Sequence, residues 1–192
     1  MLLDLGSHAL DLAVWLAGWP VKALCRTHRL YDARPTPDGG VARDLTEDYV
    51  TALMVLENGA VGTLEASKIA TGAEDELSIE LRGTRGALKW NSMDPNYLDY
   101  YDNTLPEAPY GGSRGFTRIQ TVQRYPAPGG RLMPPKASIG WERGHTHCYF
   151  TFLDAIAKDL PRERGIEEAA RLQSLMARLL ESDATGAWVN VP

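Results

Sequence analysis

Three polar residues near the start of the chain could together carry out acid–base chemistry. Asp4, His8 and Asp11 are separated by four and three residues within the stretch MLLDLGSHALDLAVWL. On an α-helix this spacing places all three side chains on one face. A carboxylate within reach of a histidine favours the imidazolium form and fixes the ring tautomer, as in general acid–base catalysis. The same spacing also fits an ordinary surface helix with polar pairs one turn apart.

A helix must position these residues, and its ends can be predicted from the sequence. We predict a helix from about Asp4 to Ala17 that ends at Gly18, with Pro20 preventing its continuation. The same predicted helix also carries a stripe of apolar residues with helical spacing, which is suited to packing against a core. It consists of Leu5, Ala9, Leu12 and Leu16.

Further candidate groups lie on other predicted elements. His145 opens a predicted helix beside Trp141 and Arg143, and such a helix N-terminus suits a polar or anionic substrate. Lys68 lies on the second arm of a predicted hairpin, where we expect it to line the sheet face. Helix capping and a solvated charge pair are the alternatives for these residues.

A metal site is also conceivable. Carboxylate and imidazole groups on the first helix could bind a divalent cation together with one further histidine, His28, His145 or His147. No second pair of ligands is defined by spacing, so we predict no metal. A metal-dependent isomerase or hydrolase is therefore a weaker alternative function.

Composition and motifs exclude several classes of function. The net charge is -5 and no run of five basic residues occurs, so we expect neither nucleic acid nor an anionic membrane as partner. No apolar run approaches the roughly 18 residues of a membrane span, and no signal peptide is evident, so we predict a cytoplasmic protein. Cys25 and Cys148 lack CxxC spacing, and we predict reduced, mostly buried thiols. No glycine-rich dinucleotide or nucleotide motif occurs in a strand–helix context.

The rest of the chain predicts strands followed by two helices. Alternating or continuous apolar patterns predict strands over residues 21–31, 49–56, 60–69, 76–82, 87–90, 97–101 and 116–124. Glu57-Asn58-Gly59 carries the Asn-Gly hairpin signal, and helices are predicted over 141–158 and 166–182. We expect the loops over 104–115 and 125–140 to shape a pocket. This order predicts an α+β domain with an open, mostly antiparallel sheet of about six or seven strands and helices on one face.

The ordered segments resemble one protein family. LLDLGSHALDLAVWLAG resembles the D-x-G-x-H-x-x-D segment that opens the C-terminal domain of the Gfo/Idh/MocA oxidoreductases. ENGAVGTLEAS, IELRGTRGALKW, DPNYLDYYD, FTFLDAIAKDLP and IEEAARLQSLMARLLESDATGAWVNV follow in the family's order. The resemblance implies a dihydrodipicolinate-reductase-like C-terminal fold. It also implies that residues 1–192 form a single substrate-binding and oligomerisation domain, with the N-terminal Rossmann domain absent from this chain.

The resemblance implies a function as well. His8 would be the acid/base at the substrate hydroxyl and Asp4 would orient or polarise it, while Asp11 matches the motif with an expected structural hydrogen-bonding role. Apart from the resemblance, the residue positions lead us to expect substrate contacts from Asp11, Lys68, Trp141, Arg143 and His145.

The full-length enzyme would use NAD or NADP as a sugar- or polyol-type dehydrogenase and would form a homo-oligomer through the open sheet. The family's E-K-P lysine is absent here, so we expect this chain alone to bind no NAD(P) and to be inactive. The alternative is a stand-alone, non-enzymatic domain for ligand binding or dimerisation.

Overall fold

Helices and antiparallel strands make up the described chain. The computed structural model describes residues 1–43, 46–122, 124–132, 134, 136–161 and 164–192. These residues form two compact units, Met1–Ala73 with Arg164–Pro192, and Glu74–Glu163. The predicted α+β class with antiparallel pairing is confirmed. The assignment of 1–192 to a single functional domain stays a prediction.

Most element bounds agree closely with the sequence patterns, but the predicted strands over 21–31 and 116–124 end earlier, at His28 and Gln120. The helical segments are a π-helical turn, Leu2–Gly6; α1, Ser7–Ala17; a 3₁₀ turn, Gly129–Arg131; α2, Trp141–Lys158; and α3, Ile166–Thr185. The strands are β1, Pro20–His28; β2, Arg34–Pro35; β3, Val41–Ala42; β4, Tyr49–Leu56; β5, Val61–Ser67; β6, Ser78–Gly83; β7, Gly86–Asn91; β8, Tyr97–Asp102; β9, Phe116–Gln120; and β10, Val189–Asn190.

The described strands are divided among three sheets. The first unit contains a four-stranded sheet in the order β10-β1-β4-β5 and a two-stranded ribbon of β2 and β3. The second unit contains a four-stranded sheet in the order β6-β7-β8-β9. All of these pairings are antiparallel. The ribbon occurs in a segment rich in proline and glycine, between the predicted strands over 21–31 and 49–56.

The core of the first unit lies between its larger sheet and the helices α1 and α3. Strand β4 alternates between half-buried and buried positions, so its buried residues all point to one face of the sheet. Those residues are Val50, Ala52, Met54 and Leu56. On α3 the buried residues recur at helical spacing and include Leu172, Leu175, Met176 and Leu179.

The buried face of α1 differs in part from the predicted one, although Ala9 of the predicted stripe does pack against the core. Leu10 and Val14 are buried, whereas Leu5 and Leu16 of the predicted stripe are 37% and 45% exposed. The helix carries apolar residues around most of its circumference, so two stripes have equally good spacing. Contact with the sheet and α3, rather than periodicity, selects the buried stripe.

The second unit buries few side chains. On helix α2 only Arg143 is buried, although the helix carries many apolar residues. Cys148 on this helix is exposed, so the prediction of a buried thiol is wrong there, whereas Cys25 in β1 is buried as predicted. No helix in the described ranges is long and apolar enough to cross a membrane.

Candidate functional site

Asp4 and His8 lie on the exposed side of the first helical segment. Leu2 and Leu10, on the opposite side, are fully buried and anchor the segment to the core. The Leu2 N–H also donates to a carboxylate oxygen of Glu47 at 2.8 Å, which fixes the first turn against the chain leading into β4. Anchoring one side of the helix therefore presents the aspartate and the histidine together to the outside.

A π-helical turn carries Asp4. The Gly6 N–H donates to the Met1 carbonyl at 3.2 Å, which is the five-residue step of a π-helix. The Ser7 hydroxyl donates to the carbonyl of Asp4 at 2.6 Å and ties this turn to the start of α1. Single π-helical turns occur frequently at functional sites.

Lys68 lies directly after β5 and forms an ion pair with Asp4. The backbone N–H of Lys68 donates to the Asp48 carbonyl at 2.9 Å, so both the backbone and the side chain of Lys68 have a partner. The hydrogen bond and the charge of the Lys68 ammonium lower the pKa of the Asp4 carboxyl below its usual value. Asp4 is therefore held as a carboxylate one helical turn before His8, and the structure brings predicted residues Asp4 and Lys68 together.

Asp11 is paired within the first unit. Its carboxylate forms an ion pair with Arg164, which lies 153 residues later, just before α3. This contact joins α1 to the start of α3 and agrees with the structural role expected for Asp11. Sequence reasoning missed Arg164, because no local pattern links two residues so far apart in the chain.

Trp141, Arg143 and His145 lie in the second unit, in the first turns of α2. The Trp141 and His145 rings meet edge to face with centroids 4.3 Å apart, and Trp141 is 77% exposed. Arg143 is buried. The structure thus groups these three predicted residues on one helix of the second unit, and their contact with a substrate stays a prediction.

The candidate metal ligands are distributed over different elements. His28 ends β1, whereas His145 and His147 lie on α2. Within the described ranges, no cluster of three or more histidine, cysteine, aspartate or glutamate side chains is arranged to hold a metal ion. The partner of Asp4 is instead the ammonium group of Lys68.

Comparison with known proteins identifies the family. Residues 1–191 match a protein-family model whose description is "Oxidoreductase family, C-terminal alpha/beta domain". The chain belongs to the Gfo/Idh/MocA oxidoreductase family. It is the C-terminal domain of that family, as its D-x-G-x-H-x-x-D segment indicated.

Relatives of this Gfo/Idh/MocA domain are about twice as long. Levoglucosan dehydrogenase of Pseudarthrobacter phenanthrenivorans is 25% identical over 204 residues, covering 98% of this chain and 51% of that protein. An oxidoreductase domain protein from Kribbella flavida superposes with a TM-score of 0.89 at 28% identity, covering 98% of this chain and 49% of that one. A levoglucosan dehydrogenase in complex with NADH superposes with a TM-score of 0.89 at 25% identity and the same coverage. The chain spans about half the length of these relatives.

Proposed function

We propose that this chain supplies the substrate-binding and catalytic residues of an NAD(P)-dependent dehydrogenase that oxidises a CH–OH group of a sugar or polyol. The observation that carries the proposal is the exposed His8, one turn after a carboxylate that Lys68 holds ionised. Similarity to levoglucosan dehydrogenase along 98% of the chain supports the sugar class of substrate. We further propose that the protein is cytoplasmic.

The proton transfer follows from these three side chains. His8 accepts the proton of the substrate hydroxyl as the carbon-bound hydrogen leaves with its electron pair. The Asp4 carboxylate stabilises the positive charge that His8 gains, and Lys68 holds that carboxylate in place. NAD(P), held by another part of the full-length protein, would accept the hydride.

The cofactor belongs to a part of the protein that this chain does not contain. A dinucleotide site of the Rossmann type needs parallel strands joined by a helix, with a glycine-rich turn at the helix N-terminus. Every sheet pairing in the described ranges is antiparallel, so these residues do not fit a dinucleotide cofactor. We assign NAD(P) binding to an additional N-terminal domain, consistent with relatives of twice the length.

Turnover by the full-length protein that contains this chain tests the proposal. The protein is assayed with NAD⁺ or NADP⁺ against sugars and polyols, levoglucosan included. His8→Asn is expected to lower kcat by about 10²–10⁴-fold, the usual contribution of a general base. The matched control is His28→Asn, because His28 is an exposed histidine of the same unit that lies on β1. Full activity of His8→Asn would refute the assignment, and sugar binding without turnover would favour the non-enzymatic alternative.

We also propose that the protein forms a homodimer through the sheet of the second unit. The pairing register places apolar side chains on one face of this sheet, and all of them are only half-buried. They are Ile79, Leu81, Leu88, Trp90, Leu98, Tyr100 and Ile119. The opposite face carries the ion pairs Lys89–Glu80 and Arg118–Asp99. A contiguous apolar face of this kind is typical of an interaction surface.

Light scattering distinguishes the two faces of the sheet. Leu88→Lys is expected to convert the dimer into a monomer, because it places a charge at the centre of the apolar face. Ala87→Lys, one residue earlier on the opposite face, is the matched control and is expected to remain dimeric. A monodisperse monomer of the unmodified protein would contradict this proposal.

A further inference from the structure

We propose that Arg143 is the centre of an oxyanion-binding site, which takes a carboxylate or phosphate group of a small molecule at the N-terminus of α2. Arg143 is only 8% exposed. Its Nε donates to the Gly129 carbonyl at 2.5 Å. Its terminal nitrogens, Nη1 and Nη2, are enclosed and donate to no group in the described ranges. Four N–H groups of a charged guanidinium therefore lack an acceptor.

Burial without a partner is unfavourable for a guanidinium. Taking a charged group out of water costs several kcal/mol unless hydrogen bonds and an opposite charge compensate. Buried polar groups in native proteins nearly always have partners, and an exception indicates an ion or ligand. None of the ion pairs of the described chain includes Arg143. A carboxylate or phosphate matches the planar fork of arginine and restores both the charge and the hydrogen bonds.

The surroundings of Arg143 also favour an anion. Arg143 is the third residue of an 18-residue helix whose N-cap, Gly140, provides no side-chain acceptor, and Glu142 is the acidic residue of the first turn. Residues 121–147 contain four basic residues and one acidic residue, although the chain as a whole has a net charge of -5. The basic residues are Arg124, Arg131, Lys136 and Arg143, and the acidic one is Glu142.

The Gly129–Arg131 turn holds Arg143 in place. The Gly129 carbonyl accepts a hydrogen bond from Arg143, and the Gly129 N–H donates one to Nδ1 of His147 at 3.2 Å. Two side chains one turn apart on α2 therefore both bind the backbone of Gly129. A Cβ at position 129 would lie 2.9 Å from the Nδ1 of His147, so a larger residue would disturb this contact. Gly129 contacts Arg143 directly through its carbonyl, which makes the Gly129 amide a second reporter of binding.

Anion titration of this chain tests the site directly. Inorganic phosphate and acetate are titrated separately at constant ionic strength, following the NMR signals of the Arg143 Nε–H and the Gly129 amide. Arg143→Met keeps the apolar stem and removes the charge, and it is expected to weaken binding at least tenfold. Arg85→Met is the matched control, because Arg85 is an exposed arginine of the same unit with no ion pair in the described chain. It is expected to bind within twofold of the unmodified chain.

Each outcome decides the proposal. Preferential binding of phosphate supports a phosphate ester as ligand, and preferential binding of acetate supports a carboxylate. No saturable shift of the Arg143 Nε–H with either anion, or equal affinity in Arg143→Met, overturns the site. If circular dichroism shows that Arg143→Met does not fold, Arg143→Lys is used in its place. Undiminished anion affinity of Arg143→Lys, which lacks the guanidinium fork, overturns the site. Because no turnover is measured, the result is independent of the dehydrogenase activity.

Discussion

Replacing Ser182 with alanine is expected to destabilise the first unit, because this hydroxyl satisfies buried backbone groups. Ser182 is fully buried on α3. Its Oγ accepts a hydrogen bond from the Cys25 N–H at 2.9 Å and donates to the Ala187 carbonyl at 2.7 Å. The next residue, Asp183, accepts from the Thr27 N–H at 2.9 Å. The C-terminal part of α3 thus provides hydrogen-bond acceptors for backbone N–H groups at the edge of β1, beyond the point where the short β10 pairs with it.

The magnitude follows from the two hydrogen bonds. Without the Ser182 hydroxyl, the Cys25 N–H is buried with no acceptor, which costs about 1–3 kcal/mol. The Ala187 carbonyl belongs to an exposed residue that water can reach, so losing its donor adds only about 0.5–1 kcal/mol. The expected loss for Ser182→Ala is about 1.5–4 kcal/mol. At roughly 2–4 °C per kcal/mol for a protein of this length, Tm should fall by roughly 3–16 °C.

Urea and thermal denaturation followed by circular dichroism measure this loss. The matched control is Ser174→Ala on the same helix, because Ser174 is exposed and its hydroxyl donates only to the Ala170 carbonyl at 3.1 Å. The control is expected to stay within about 0.5 kcal/mol of the unmodified protein. If Ser182→Ala also stayed within that range, the hydroxyl would not be the acceptor that the β1 edge requires, and the reasoning would be refuted.

Three further outcomes are expected. Because Lys68 lowers the pKa of Asp4, their pair stabilises the fold above the ordinary aspartate pKa of about 3.9 and loses this contribution as the pH falls through the lowered value. Lys68→Ala should therefore reduce Tm more at about pH 7 than at about pH 2, and equal losses would contradict this. Burial raises the pKa of the Cys25 thiol to about 11, whereas Cys148 is exposed. Modification by a thiol reagent should therefore show a fast phase that belongs to Cys148 and that Cys148→Ser removes. A fast phase that persists in Cys148→Ser would contradict this. Gly186→Ala should cost about 1–2 kcal/mol in urea denaturation because φ is 67° there, and an unchanged midpoint would contradict that cause.

Local structure was predictable from the sequence because short-range backbone preferences determine it. Strand β4 and helix α2 have the predicted bounds, and the turn at Glu57-Asn58-Gly59 joins two strands as its Asn-Gly signal indicated. Gly186 ends α3 in the left-handed conformation that glycine adopts readily. The family could also be predicted, because its short segments occur in a fixed order along the chain.

Partners distant in the chain could not be predicted in this way. The sequence determined that Asp4, His8 and Asp11 share one face of a helix. Only the tertiary structure decided that Leu10 and Val14, rather than the other apolar stripe, are buried behind them. It also paired Asp4 with Lys68 and Asp11 with Arg164, and it left the two terminal nitrogens of the buried Arg143 without an acceptor in the described chain. The physical reason is that periodicity determines which side chains share a face, whereas contacts between distant segments determine what that face meets.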